Sequence, residues 1–256
     1  MSAPIPHSLG QIFPDDGDPQ APVGAAVIMP TLMRPVAARA IESIYAQDAG
    51  VRIQIVIGAD LNPGDTGPIF EALQRRPPHV SALVLTLPYS TSVRHGGMHP
   101  AWDGGALRTI LSFAANAPYL AYLDDDNVWR PHHLRRLLEA VQGRSWAYSL
   151  RMLLDEDTGA ELGVDIWDAV GPNKGRFKER GGMVDPNCLL IDKRRVAGTL
   201  WMWSDPGPGL LGLEADRRVA AALARHPYGA VDEATVLYRI RRTNILRQFL
   251  KDGAQF

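Results

Sequence analysis

The stretch "YLAYLDDDNVWRP", Tyr119–Pro131, decides how the chain is read. An apolar run, Tyr119–Leu123, has the character of a strand and stops at Asp124, Asp125 and Asp126. Adjacent carboxylates repel one another, and aspartate is a poor strand former. Two readings are open. One is a solvated acidic turn, since Asp and Asn are common turn residues. The other is a site for a hard divalent cation, which often takes one or two carboxylates and completes its shell with substrate phosphates. An EF-hand is excluded, because its glycine and distal glutamate are missing.

Outward from this strand the chain alternates. Ala25–Met29 is a short run of buried-strand type. "RPVAARAIESIYAQ" follows as a helix, with Val36, Ala40, Ile41 and Ile44 on one face and Pro35 in its first turn. "VRIQIVIG" is a second strand, Thr66–Arg75 a helix that ends before Pro77-Pro78, and "HVSALVLTL" a third strand. "DGGALRTILSFAANA" predicts a helix with Leu107, Ile110, Leu111 and Ala114 inward. After the aspartates, "RPHHLRRLLEAV" predicts another helix, with His132 and His133 in an exposed first turn. Such alternation predicts a mostly parallel sheet with helices on both faces. Right-handed crossovers then bring Thr31, Asp60 and the three aspartates to one sheet edge, where open α/β sheets bind ligands.

Beyond residue 145 the rhythm changes. "WAYSLRMLLDEDTGAELGVDIW" reads as a hairpin turning at Asp157–Gly159. A polar, Gly-rich loop, "GPNKGRFKERGG", precedes a strand in "NCLLID". "EADRRVAAALARH" is a helix, "ATVLYRI" a late strand and "NILRQFL" a short amphipathic tail.

Composition sets the class. The 256 residues are 46% hydrophobic and 21% charged, with a formal net charge of −1, as in a soluble globular protein with a real core. No basic excess points to nucleic acid or an anionic membrane. A single cysteine, Cys188, excludes an intrachain disulfide and a cysteine-based zinc site. The first 22 residues, rich in Pro, Asp and Gly, lack the regions of a secretory signal. No run approaches the roughly 18 apolar residues of a spanning helix, and the default expectation is a cytoplasmic protein.

Taken in order, these segments resemble the family 2-like glycosyltransferases of the GT-A fold, which transfer a sugar from a nucleotide-diphosphate donor. The resemblance runs from about Val27 to Asn244. It is strongest in "GGALRTILSFAANAPYLAYLDDDNVWRPHHLRRLLEAV": a helix with a donor-site arginine, a strand, the D-x-D element, an aromatic, a proline and an amphipathic helix. "VIMPTLMRP" is similar to the family's first strand and nucleotide-binding turn, "IQIVIGAD" to its second strand with a base-contacting acid, and "VDEATVLYRIRRTN" to its late Tyr-Arg-x-His segment.

The resemblance implies a GT-A-like α/β single domain, with a mostly parallel sheet flanked by helices and a smaller mixed half. Its parts would be a loosely ordered arm over 1–22, a nucleotide-sugar-binding half over 23–145, and an acceptor-binding half with a C-terminal tail over 146–256. It implies a UDP- or GDP-linked sugar donor, a saccharide or other hydroxyl acceptor, and Mn²⁺ or Mg²⁺ held by Asp126 and Asp124. Asp125 would be the intervening residue of the motif, within reach of the sugar. Pro30, Thr31, Arg34 and Asp60 would hold the nucleoside and Arg108 the donor. Arg241 stands where the family has histidine; a guanidinium cannot ligate a metal but pairs well with diphosphate. An inverting transfer needs a base for the acceptor hydroxyl, and the resemblance implies Asp216 or Glu214. Asp185, Trp201 and Trp203 are candidates on the acceptor side, the indoles as stacking faces. Two alternatives are a non-catalytic nucleotide-sugar-binding protein and a nucleotidyltransferase. The second ranks lower, since "PTLMRP" lacks a Gly-rich phosphate loop.

Overall fold

The computed structural model describes residues 10–60, 65–100, 104–205, 215–241, 244, 246 and 247. Its first half holds β1 (Gly10–Phe13), β2 (Ala25–Thr31), α1 (Ala37–Tyr45), β3 (Ile53–Ala59), α2 (Gly67–Gln74), β4 (Val80–Thr86), α3 (Gly105–Ala114), β5 (Tyr119–Tyr122), β6 (Val128–Trp129) and α4 (His133–Ala140). The second half adds β7 (Trp146–Asp155), β8 (Glu161–Val164), β9 (Gly171–Pro172), β10 (Gly182–Met183), β11 (Leu189–Asp192), α5 (Lys193–Val196), α6 (Ala215–Leu223) and β12 (Tyr228–Ile240).

One large sheet carries the fold, in the order β1-β4-β3-β2-β5-β11-β7-β12-β6, with β8 paired to β7. The block β4-β3-β2-β5 is parallel throughout. β2 is buried along its whole length, as a strand covered on both faces must be, and its sequence is correspondingly apolar. The strand direction then reverses. β11 runs antiparallel to both β5 and β7, and β12 runs parallel beside β7. β7 and β8 form the expected hairpin. A single main core spans both halves, from Val23 to Val236, with Trp146, Tyr148, Trp203 and Tyr122 among its fully buried side chains. Among the described residues, no helix is long and apolar enough to cross a membrane.

Three local expectations are corrected. Residues 10–13 of the expected arm form β1, antiparallel on β4 at the sheet edge. Its side chains are largely exposed, so no apolar alternation marks it. Arg52 ties the following turn down, with Nε and Nη2 on the Asp15 carboxylate at 2.9 and 2.8 Å. Secondly, α3 turns a different face inward. Leu107 and Leu111 are buried as predicted, but Ile110 and Ala114 face out, and Arg108 and Ser112 take the inward places. Each has a polar partner: Ser112 Oγ lies 3.1 Å from the buried Tyr122 hydroxyl, and Arg108 reaches Asp124 at the cleft. Thirdly, His133 is fully buried, not exposed. It stacks on Trp129 at 4.3 Å and shares a 2.7 Å hydrogen bond with Thr235 Oγ1. Burial pushes its pKa down to about 3, so the ring is neutral at physiological pH.

The start of α3 depends on one glycine. Gly104 sits at φ +76°, and a Cβ there would stand 2.7 Å from Pro30 Cβ. Left-handed strain and the overlap together predict that Gly104→Ala lowers stability by about 2 kcal/mol. The expected result is a lower urea midpoint with an unchanged m value.

Candidate active site

The C-terminal ends of β2, β3 and β5 open on a cleft of about 790 Å³, the edge at which parallel sheets bind ligands. Its lining gathers Pro30, Thr31, Arg34, Asp60, Arg108, Asp124, Asp125, Asp126, Asp185, Asp216 and Arg241. These lie up to 211 positions apart in sequence, Pro30 to Arg241, and the sheet order brings them together.

Each aspartate of the triplet has its own arginine. Asp124 Oδ1 accepts from Arg108 Nη2. Asp125, almost wholly buried, accepts from Thr31 Oγ1 at 2.7 Å and from Arg34 Nε at 3.3 Å, and pairs with Arg34 Nη2. Asp126 Oδ2 accepts from Arg241 Nε at 2.9 Å and pairs with Arg241 Nη2, with Arg34 Nη2 at 3.4 Å. The arginines come from three places: the turn after β2, the inward face of α3 and the end of β12. Burial would push the Arg34 and Arg241 pKa values down, but their aspartate partners hold both above the ordinary value.

Asp60, expected to hold a nucleoside, is itself firmly held. Asp60 accepts from Ser90 Oγ at 2.9 Å, Thr91 N at 2.8 Å and Thr91 Oγ1 at 2.6 Å. A carboxylate offers about four acceptor positions, and the described residues take three of them.

Asp185, a candidate for the acceptor side, is less available than its sequence setting suggests. Its Oδ1 accepts from Asn187 N and Asn187 Nδ2, at 2.9 and 2.7 Å, and its Oδ2 pairs with Arg151. Arg151 is almost wholly buried; it also binds Asp165 and Asp168 and lies 4.2 Å from the Tyr238 ring centroid. Burial works against the charged form of Asp165, yet Arg151 and the N–H groups of Asp168 and Trp167 hold its pKa below the usual value. Burial, outweighing Arg151, holds Asp168 above it, with the Asp165 and Asp185 carboxylates adding to the effect.

Asp216 lies in the first turn of α6, partly buried, on the same cleft. Glu214 lies outside the described residues. The two tryptophans part company. Trp203 is 1% exposed and packs on Tyr122 at 4.8 Å, so it offers no stacking face to an acceptor. Instead its ring lies under the Arg108 guanidinium at 5.6 Å. Trp201 is exposed, but neither indole belongs to the cleft lining among the described residues.

The cleft also holds Arg94 and Asn127, to which the sequence reading gives no role, His95, which it reads as a loop histidine and not a ligand, and Tyr238, the tyrosine of the late Tyr-Arg segment. Arg94 and His95 stand in a short 3-10 turn capped by Gly96 at φ +86°. A basic pair beside glycines, just after the third strand of the parallel block, was the available signal. Asn187, wholly buried, bonds both Asp124 and Asp185. Its only sequence mark is an amide at the start of an apolar strand.

No protein-family model matches the chain, and no curated protein matches it in sequence. Solved structures do match. S. aureus TarS 1-349 superposes with a TM-score of 0.59 at 13% identity, over 84% of this chain and 60% of that one. TarS 1-349 in complex with UDP gives 0.59 at 12%, over 88% and 62%. The complex with UDP-GlcNAc gives 0.59 at 14%, over 86% and 59%. The chain thus spans about 60% of the TarS 1-349 structures it matches. At such identity the likeness is one of fold, and it is the expected GT-A-like α/β single domain.

Two outcomes follow from the held carboxylates. Thr31→Val removes a hydroxyl bonded to a buried carboxylate and is expected to cost about 2 kcal/mol in chemical denaturation. For Asp168, a raised folded-state pKa means that the folded protein holds the proton more tightly than the unfolded chain. This group therefore adds stability in acid and loses it as pH rises through the carboxylate range. Asp168→Asn is expected to raise the urea midpoint at neutral pH and to leave it unchanged in acid, where the aspartate is already protonated.

Proposed function

We propose that the chain is a glycosyltransferase that moves a sugar from a nucleotide-diphosphate donor, UDP- or GDP-linked, to an acceptor hydroxyl. The supporting observation is the arginine-paired aspartate triplet at the C-terminal ends of a parallel sheet, in a cleft large enough for a nucleotide sugar. TarS, which shares the fold, has been solved with UDP and with UDP-GlcNAc.

The charges of the clamp decide what else is needed. Three carboxylates face three guanidinium groups, so the set is neutral before any ligand enters. A diphosphate adds negative charge, and a divalent cation cancels it. Among the described residues, the hydrogen bonds of Asp126 fall on Oδ2, so Oδ1 is the oxygen it would offer to a hard cation. Among the described residues, no group of three or more His, Cys, Asp or Glu could hold a metal. A Mn²⁺ or Mg²⁺ ion on Asp126, with Asp124, would therefore complete its shell from the diphosphate, as such ions commonly do. Bound there, the cation would offset charge developing on the leaving diphosphate.

The chain's own residues do the rest. Asp60 accepts an N–H of the base on its remaining position. Arg241 and Arg34 meet the diphosphate with bidentate groups. Asp216 takes the proton of the acceptor hydroxyl, with Glu214 the second candidate, and a single displacement inverts the anomeric carbon.

Asp126→Ala is expected to weaken Mn²⁺-dependent UDP binding at least tenfold in calorimetry. Unchanged binding would remove the metal assignment. Asp216→Asn is expected to lower turnover by roughly 10²–10⁴, the usual contribution of a general base, while donor affinity stays put. Normal turnover in that variant would shift the base to Glu214. A wild-type protein that binds nucleotide sugar but transfers nothing would favour the non-catalytic alternative.

A further inference from the structure

We infer that Asn187 is a positioning residue for the first aspartate of the triplet, held in turn from the protein interior by Arg151 through Asp185. The inference rests on the nucleotide-sugar reading for its role in binding, but not for its geometry.

Strand register creates the contact. β11 pairs antiparallel with β5, Leu190 opposite Ala121 and Ile191 opposite Leu120. Carried past the strand ends, the same register sets Asn187 opposite Asp124. The two residues then continue the ladder with a side chain. Asn187 Oδ1 accepts the Asp124 backbone N–H at 2.7 Å, and Asn187 Nδ2 donates to Asp124 Oδ2 at 2.9 Å. The second amide hydrogen goes to Asp185 Oδ1, 2.7 Å from Nδ2. The carboxamide orientation is dictated by chemistry: turned over, its oxygen would face two carboxylates and its NH₂ group a backbone N–H.

The hold continues inward. Asp185 also accepts the backbone N–H of Asn187, and its other oxygen pairs with Arg151. Arg151 is fixed by Asp165, with Nε at 2.9 Å, and by the face of Tyr238. A continuous line of charge-assisted hydrogen bonds thus runs from the middle of β7 to a carboxylate whose side chain is 31% exposed on the cleft. Arg108 holds the remaining oxygen of Asp124. Asp124 would otherwise be a strand-end carboxylate free to turn about χ1 and χ2. With its own N–H and both oxygens engaged, it presents one orientation, which is what a preorganised ligand site requires. Aspartate at 187 would oppose two carboxylates, and alanine would abandon a buried N–H.

Calorimetry of UDP with Mn²⁺ on the full chain tests the binding role, using wild type, Asn187→Ala, Asp124→Ala and the double variant. Asn187→Ala is expected to weaken UDP at least tenfold, and the double variant to bind within about twofold of Asp124→Ala alone, because the amide acts through the aspartate. Losses that multiply, or an Asn187→Ala protein that melts lower but binds as wild type, would reduce Asn187 to a structural residue. Asn187→Ser, which keeps one donor and acceptor, is the second variant should the alanine protein fail to fold; an affinity between wild type and Asp124→Ala is expected. Hydrogen exchange read by NMR needs no ligand. The Asp124 amide is expected to exchange at least tenfold faster in the 187 variant, while the Leu123 amide, bonded to Ile28 O at 3.1 Å, is unchanged. If wild type binds neither UDP nor GDP, the nucleotide-sugar reading fails, and the exchange rates alone decide the positioning role. Equal exchange at Asp124 overturns it.

Discussion

Three carboxylates in consecutive positions are the constraint around which this cleft is arranged. Two like charges 4 Å apart repel by roughly 4 kcal/mol at the effective dielectric of a protein surface, and Asp125 is buried besides. The triplet persists because three guanidinium groups reach it from separate parts of the chain. That requirement explains features that look unrelated. Arg108 must face inward, so α3 buries a guanidinium and leaves Ile110 to solvent. Trp203 lies beneath Arg108 instead of facing a ligand. The end of β12 must arrive beside the end of β5; its middle joins the main core, and Ile240 at its end packs with Leu153 and Leu246 in a small cluster of its own.

The reversal of strand direction at β11 serves the same end. A purely parallel sheet would place the start of each neighbouring strand far from the end of β5. Because β11 runs antiparallel, its beginning lies where β5 finishes, and Asn187 and Asp185 stand at that beginning. The buried Arg151 cluster then lies behind them, under the floor of the cleft.

Much of this was readable from residue order. The alternating strands and helices, the hairpin of β7 and β8, and the convergence of Thr31, Asp60 and the aspartates on one edge all follow from apolar periodicity and right-handed crossovers. What escaped is instructive in kind. Periodicity assigned Ile110 and Ala114 to the core because it counts only apolar side chains, and Arg108 and Ser112 are buried on the strength of specific partners. His133 and Trp203 were misplaced for the same reason: an amphipathic ring can face either way until its neighbours are known. β1 has almost no buried side chain to announce it. Asn187 gains its meaning from a strand register that no local pattern records.

β12 carries a last consequence. Thirteen of its residues run beside ten of β7, and the surplus is taken up in two slips, between Ala230 and Ala234 and between Ala234 and Val236. Beyond the slips the pairing is regular to Ile240 opposite Asp155, and Arg241 is the next residue. The reach of that guanidinium is therefore gauged against β7 and not against the path of the chain through α6. Extra backbone can be absorbed at such irregularities, which already bend the strand. The segment that leads into these slips thus has latitude to change length and shape while the grip on Asp126 stays where it is.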